Sequence, residues 1–201
     1  MRRIAVAALL LAAACSHRQR VLAPAPGREN QAPALASAPR QGETVQEFDL
    51  NHDGRPDVWA YWVRGTDGKD VLVRKERDLN NDSKIDCWEE YQPDGTLAKL
   101  TYDMDFDGRP DVTLYFEKDQ LVRKAYAFGF DGVPHIFNYY EKGKLVRKER
   151  DTNGDGRIDT WEYWENGQVD RVGLDLDGDG QVDRWENRQT ARGIEGEPVG
   201  K

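Results

Sequence analysis

The twelve residues Asp151–Glu162 read Asp-Thr-Asn-Gly-Asp-Gly-Arg-Ile-Asp-Thr-Trp-Glu. Numbered 1 to 12, they put oxygen-bearing side chains at 1 (Asp151), 3 (Asn153), 5 (Asp155), 9 (Asp159) and 12 (Glu162). The backbone carbonyl of Arg157 at position 7 supplies one more oxygen, Gly156 stands at 6, and Ile158 at 8 is apolar. Such a set suits a hard cation. Ca²⁺ takes six to eight oxygens at about 2.3–2.6 Å, and alternate residues of a tight loop can aim carboxylates at one centre. Glycine permits the sharp turn because it has no Cβ.

The pattern recurs. Related loops begin at Asp49, Asp78, Asp103, Ala127, Asp151 and Asp175, and the last three steps are 24 residues each. An insertion around Thr66–Asp70 lengthens the first step. Loop six is the most acidic: Asp175, Asp177, Asp179, Asp183 and Glu186, with the carbonyl of Gln181 at position 7. Loop two offers Asp78, Asn80, Asp82, the Lys84 carbonyl, Asp86 and Glu89, with Ser83 in place of Gly at 6. Loops one (Asp49, Asn51, Asp53, Asp57) and three (Asp103, Asp105, Asp107, Asp111) keep the early ligands but carry Ala60 and Leu114 at position 12. Loop four has Ala127, Gly129, Asp131 and His135 at the ligand positions, with Asn138 at 12. The expectation is Ca²⁺ in loops two, five and six, weaker sites in one and three, and none in four.

A 24-residue period leaves only 12 residues outside each loop, too few for two helices of ordinary length. The intervening segments are runs such as Trp161–Glu165 and Gln168–Val172 around Asn166-Gly167, or Phe137–Glu141 and Leu145–Arg150 around Lys142-Gly143. Aromatic and β-branched runs about such turns signal β-hairpins. The fold expected is all-β: six tandem hairpin repeats of about 24 residues, linked by EF-hand-type calcium loops.

The twelve-residue spacing resembles the EF-hand loop, and the Asp-x-Asp-x-Asp-Gly core is similar to the calcium loops of dockerins, thrombospondin type 3 repeats and FG-GAP repeats. The hairpins, with aromatics before a Gly turn, resemble MORN repeats. Dockerin helices, thrombospondin disulfides and propeller-length blades are lacking. The resemblance implies calcium-bound, extracytoplasmic modules that hold shape or display a surface.

Ahead of the repeats, Arg2-Arg3, the apolar run Ile4–Ala14 and the small residues Ala12–Ala14 precede Cys15. The run is too short to span a bilayer. It resembles a bacterial lipoprotein signal, residues 1–14, which implies a lipid-bearing Cys15. Ser16, rather than Asp, then implies the outer membrane. Residues 15–46 are rich in Pro, Ala, Gln and Ser and read as a disordered tether to a repeat domain at 47–189, with a flexible tail at 190–201.

Composition narrows the function. A hydrophobic content of 38% and a mean hydropathy of −0.85 leave little for an ordinary core, so bound metal is expected to supply folding free energy. A net charge of −8 argues against nucleic acid as a partner. Cys87 has no partner within the processed chain and reads as filler on a strand or as an intermolecular link. The three histidines, His17, His52 and His135, converge with no Ser, Cys or Asp into a catalytic set, so a non-enzyme is expected.

Two more ladders recur. Aromatics stand at loop position 11 (Trp59, Trp88, Phe137, Trp161, Trp185) and at 14 (Trp62, Tyr91, Phe116, Tyr140, Trp164), and bases at Arg74-Lys75, Arg123-Lys124 and Arg147-Lys148. The aromatics read as packing columns, or as platforms for sugars. The bases read as a solvated face that deters edge pairing. The reading reached is a calcium-binding envelope lipoprotein, structural or protein-interacting. A module for cell-surface glycan is the alternative, and a glycoside hydrolase a further one.

Overall fold

The computed structural model describes residues 36–127 and 133–187. The signal segment, Cys15, the tether before 36, Gly129 and Asp131 of loop four, and the tail lie outside the described residues.

Twelve strands follow one another as a single antiparallel meander, each paired to its neighbours in the chain. They are β1 (Glu43–Phe48), β2 (Val58–Arg64), β3 (Asp70–Arg77), β4 (Cys87–Tyr91), β5 (Leu97–Tyr102), β6 (Val112–Glu117), β7 (Gln120–Tyr126), β8 (Ile136–Glu141), β9 (Lys144–Arg150), β10 (Thr160–Glu165), β11 (Gln168–Leu174) and β12 (Arg184–Asn187). The expected all-β chain of consecutive hairpins is what folds. Strands β1 and β12 are not paired with each other, so the sheet is open. Each strand packs only against its neighbours, so among the described residues the sheet is a single layer.

The two edges of the sheet differ because two kinds of turn alternate. The six acidic loops connect β1 to β2, β3 to β4, and so on, which puts them all along one edge. The opposite edge carries tight turns. Lys118-Asp119, Lys142-Gly143 and Asn166-Gly167 each have both central residues at positive φ, the backbone that matches the strand twist of a two-residue hairpin. The insertion in the first repeat forms the wider turn Gly65–Lys69, closed by the Gly65 N–H on the Lys69 carbonyl at 2.7 Å.

Every turn-edge hairpin slips register at the same place. Tyr61, Glu90, Tyr115, Tyr139 and Tyr163 are each followed by a bulge. A repeated bulge increases local twist. Side chains alternate between faces along each strand, and cross-strand partners share a face. The paired bases therefore part company. Arg74, Arg123, Arg147 and Arg171 lie over the rings of Tyr61, Tyr115, Tyr139 and Tyr163 at 3.3, 3.9, 4.0 and 4.7 Å from the centroids. On the other face Lys75, Lys124 and Lys148 reach Tyr91, Tyr140 and Trp164 at 5.5–5.8 Å. The basic ladder is thus stacked on aromatics and half-buried, with Arg74 buried, rather than a solvated face.

The fold begins earlier than the sequence suggests. Residues 36–46, expected as tether, include β1 and a segment laid over the first hairpin. Tyr61 donates its hydroxyl to the Ser37 carbonyl at 2.6 Å, the Ser37 N–H donates to Glu76, and Arg74 is clasped by Glu43 at 2.8 Å and Glu76 at 2.5 Å. Ala36 and Val45 pack on the buried cluster Trp59, Tyr61 and Ile85. Burial and the Glu76 charge push the Tyr61 phenol up to about 12.

Candidate metal centres

The five loops described in full share one hydrogen-bond scheme. The position 1 carboxylate (Asp49, Asp78, Asp103, Asp151, Asp175) accepts the amide of position 6 at 2.6–3.0 Å. The side-chain oxygen of position 3 (Asn51, Asn80, Asp105, Asn153, Asp177) accepts the amide of position 5 at 2.8–3.1 Å. Position 5 (Asp53, Asp82, Asp107, Asp155, Asp179) accepts the amide of position 7 at 2.8–3.0 Å. Position 9 (Asp57, Asp86, Asp111, Asp159, Asp183) reaches back to the amide of position 2 at 2.6–2.9 Å. These bonds tie each of these side chains to its own loop. In loop three Asp103, Asp105 and Asp111, and in loop six Asp175, Asp177 and Asp183, bring carboxylate oxygens within 4.8 Å of one another.

The backbone scheme explains the Gly signal and adds to it. Both positions 4 and 6 are left-handed: His52, Asn81, Phe106, Gly154 and Gly178 at φ 61–79°, and Gly54, Ser83, Gly108, Gly156 and Gly180 at 75–93°. The sequence pointed to position 6 only.

The amide of position 9 bonds the carbonyl just before the loop at 2.8–2.9 Å in all six loops, including His135 to Tyr126. The amide of each following position 1 bonds the previous position 9 carbonyl at 2.7–3.0 Å. Neighbouring loops are therefore ratcheted together, and loop four keeps this frame without the acid set. Its His135 instead meets Asp151 Oδ2 of loop five at 2.9 Å, a contact the sequence did not suggest.

Position 12 departs from expectation. The loops close at position 9, and position 12 lies within the following strand. Glu162 is taken up by Arg150 and by Lys148 at 3.8 Å, Glu89 by Arg77 at 2.5 Å and by Tyr91, and Glu186 by Arg184 at 2.8 Å. The twelve-residue template belongs to a loop that runs into a helix; here a strand follows, and its pleat turns the Glu onto the sheet face.

The donor set that remains comprises the side chains of positions 1, 3, 5 and 9, with the position 7 carbonyl available beside them. It suits a divalent cation, as Asp86 illustrates. Asp86 is wholly buried; Oδ2 accepts amides from Leu79 and Asn80, while Oδ1 has no hydrogen-bond donor. Burial, with Asp78 and Asp82 nearby, raises its pKa. Leaving a buried carboxylate oxygen unpartnered is costly, and either a proton or a cation would relieve it. Asp151 and Asp175 go the other way. Burial opposes their ionisation but is outweighed, for Asp151 by His135 and the Gly156 and Gly154 amides, for Asp175 by the Gly180 and Gly178 amides.

The aromatic columns are less available than their spacing suggests. Trp59 is buried, and the Tyr rings of position 13, a column the sequence reading passed over, are capped by Arg. Cys87 is free and buried on β4, its thiol pushed up to about 11 by burial and Glu89.

No family model matches the chain, and no curated protein matches it. Among solved structures it is similar to TarM, with 13% identity over 62% of this chain and a TM-score of 0.32. It is likewise similar to a point mutant of S. aureus TarM in complex with Fondaparinux, alpha-GlcNAc-glycerol and UDP, with 12% identity over 63% and the same TM-score. The match spans about a fifth of those chains. Likeness at that level carries no argument about this protein.

Proposed function

We propose that the chain is a calcium-binding lipoprotein of the cell envelope, anchored through Cys15, whose meander serves as a structural or protein-interaction module rather than an enzyme. The observation that supports this reading is the single hydrogen-bond scheme by which five loops hold the oxygen-bearing side chains of positions 1, 3, 5 and 9, with three carboxylates each of loops three and six drawn within 4.8 Å of one another and the Oδ1 of Asp86 left without a donor. The anchor rests on the charged, apolar and small-residue run that ends at Cys15.

Calorimetry tests the reading. Titration of Ca²⁺ into the full chain should give close to five sites, and Asp103→Asn and Asp175→Asn should each remove one. Absence of binding at millimolar Ca²⁺, the range of extracellular modules, would overturn it. Labelled palmitate should enter the chain and fail to enter Cys15→Ser.

A further inference from the structure

Loop position 2 is apolar and exposed in loops one, two, three and six, and is Thr152 in loop five. Leu50, Leu79, Met104 and Leu176 are 64, 50, 64 and 62% exposed. Phe106, at position 4 of loop three, is exposed as well and sits at φ 64°, a conformation that disfavours a bulky side chain. Isolated exposed leucines need no explanation, but these recur in register. Leu50, Leu79 and Met104 follow one another along one edge, two strands or about 9–10 Å apart, and Leu176 stands six strands beyond Met104.

Two further observations say what the row would meet. With position 12 drawn onto the sheet face, each loop offers Ca²⁺ about five protein oxygens where the ion takes six to eight. One or more outside oxygens must complete the shell. Lys84 and Arg157 add cationic groups to the same edge, where they reach the carbonyls of Phe106 and Gly178 in the next loops. One Ca²⁺ per loop would cancel the three carboxylates and one basic side chain of loops one, two and five and leave loops three and six net negative, so the loaded edge repels anions less than the empty one. Between loops five and six a cleft of about 320 Å³ is lined by Asp155, Arg157, Asp175 and Leu176 among others.

We propose that the calcium-loaded loop edge docks on a phospholipid surface, lipid phosphate oxygens completing the Ca²⁺ shells while Leu50, Leu79, Met104, Phe106 and Leu176 enter the interface. Separate apolar knobs set among charges do not make the contiguous buried centre that a protein partner requires. A fluid bilayer takes each knob independently. The proposal rests on the reading of the loops as calcium sites.

The test uses the full chain with Cys15→Ser, which removes the acyl chain and leaves Cys87 buried. Thr152→Cys, at position 2 of loop five, carries an environment-sensitive fluorophore without removing a knob. Asp119→Cys carries the same label on the opposite edge. With vesicles of phosphatidylcholine and phosphatidylserine, Ca²⁺ should blue-shift and brighten the label at 152 but not at 119. EDTA should reverse the shift, and the combination Leu79→Ser, Met104→Ser and Leu176→Ser should abolish it. Circular dichroism of that variant in Ca²⁺ checks its fold. Calorimetry separates the failures: ions bound without a shift would overturn the docking alone, and no ions bound would overturn the calcium reading. A shift that survives the serine variant, that appears equally with soluble glycerophosphate, or that tracks self-association in sedimentation without vesicles would also overturn the docking.

Discussion

Glu162, twelfth in its loop, gives its carboxylate to Arg150 and Lys148 across the sheet instead of to the loop before it. Its side chain is only 9% exposed, so it acts as an ion pair between the neighbouring strands β10 and β9. Glu162→Gln should therefore leave Ca²⁺ affinity nearly unchanged and cost about 1–2 kcal/mol of stability by weakening a half-buried charged bond. Asp159→Asn should weaken its site by about 10- to 100-fold, at least what loss of an outer-shell partner costs a metal site. Calorimetry and thermal melts on the two variants separate the roles. Equal loss of binding in both would restore the twelve-residue loop.

Ser83 offers a gain of stability. It holds φ 75° where the other four described loops carry Gly at position 6. A left-handed backbone costs a residue with a Cβ about 1–2 kcal/mol. Ser83→Gly should raise the melting temperature in Ca²⁺ and in EDTA alike, by somewhat less than that cost because Gly also loses more entropy on folding. Gly156→Ala should lower it. Its added Cβ would meet nothing within 4 Å, so the effect isolates the backbone.

These sites mark how far the sequence could be read. Position 6 was legible because Gly recurs there; position 4 was not, because His52, Asn81 and Phe106 disguise it. The hairpins were legible from Asn166-Gly167 and Lys142-Gly143. Strand β1 was not, since Glu43–Phe48 is mostly exposed and polar and lacks the alternation of a half-buried strand. The Arg and Lys of each basic pair looked alike in sequence. Only the pleat separates them, one to a Tyr ring and the other to the Glu and aromatic of the far face. The Tyr column at position 13 stood in plain register and was masked by the tryptophans on either side. The pairing of His135 with Asp151 carries no local signal, because it joins different loops.

The Glu43–Arg74 pair predicts a pH dependence. Both side chains are 5% exposed. Hydrogen bonds from Arg74 hold the Glu43 carboxyl below the ordinary glutamate range against the opposing effect of burial, with help from the Arg40 amide. A carboxyl depressed in the folded state stabilises fully above its unfolded pKa, and that contribution is lost as pH falls through the folded value. Melts in EDTA from about pH 6 to about pH 3 should thus fall less steeply for Glu43→Gln than for the parent, while Glu43→Gln melts lower at neutral pH. EDTA keeps metal release out of the comparison. Parallel curves would mean that the pair does not couple to folding.

The last expectation concerns what holds a single layer together. Strands that touch only their neighbours bury little apolar surface, and in loops three and six the metal-free chain holds carboxylate oxygens within 4.8 Å of one another. Each site that binds calcium only when folded contributes RT ln(1 + [Ca²⁺]/Kd), about 1.4 kcal/mol at tenfold excess over Kd. Five such sites would add about 7 kcal/mol, the order of a whole domain's stability. At about 2–4 °C per kcal/mol for a domain of this size, the melting temperature should rise by roughly 14–28 °C between excess EDTA and saturating Ca²⁺. Mg²⁺ should recover only a small part, because it demands near-octahedral geometry and gives up water reluctantly. The rise should shrink stepwise as Asp49, Asp78, Asp103, Asp151 and Asp175 are changed to Asn one at a time. Asp131→Asn, in the loop without the acid set, should leave it unchanged. Circular dichroism melts of the full chain measure both. A melting temperature that ignores calcium would mean that the loops are acidic turns held by their own amides, and that the ratchet of loop-to-loop hydrogen bonds suffices without metal.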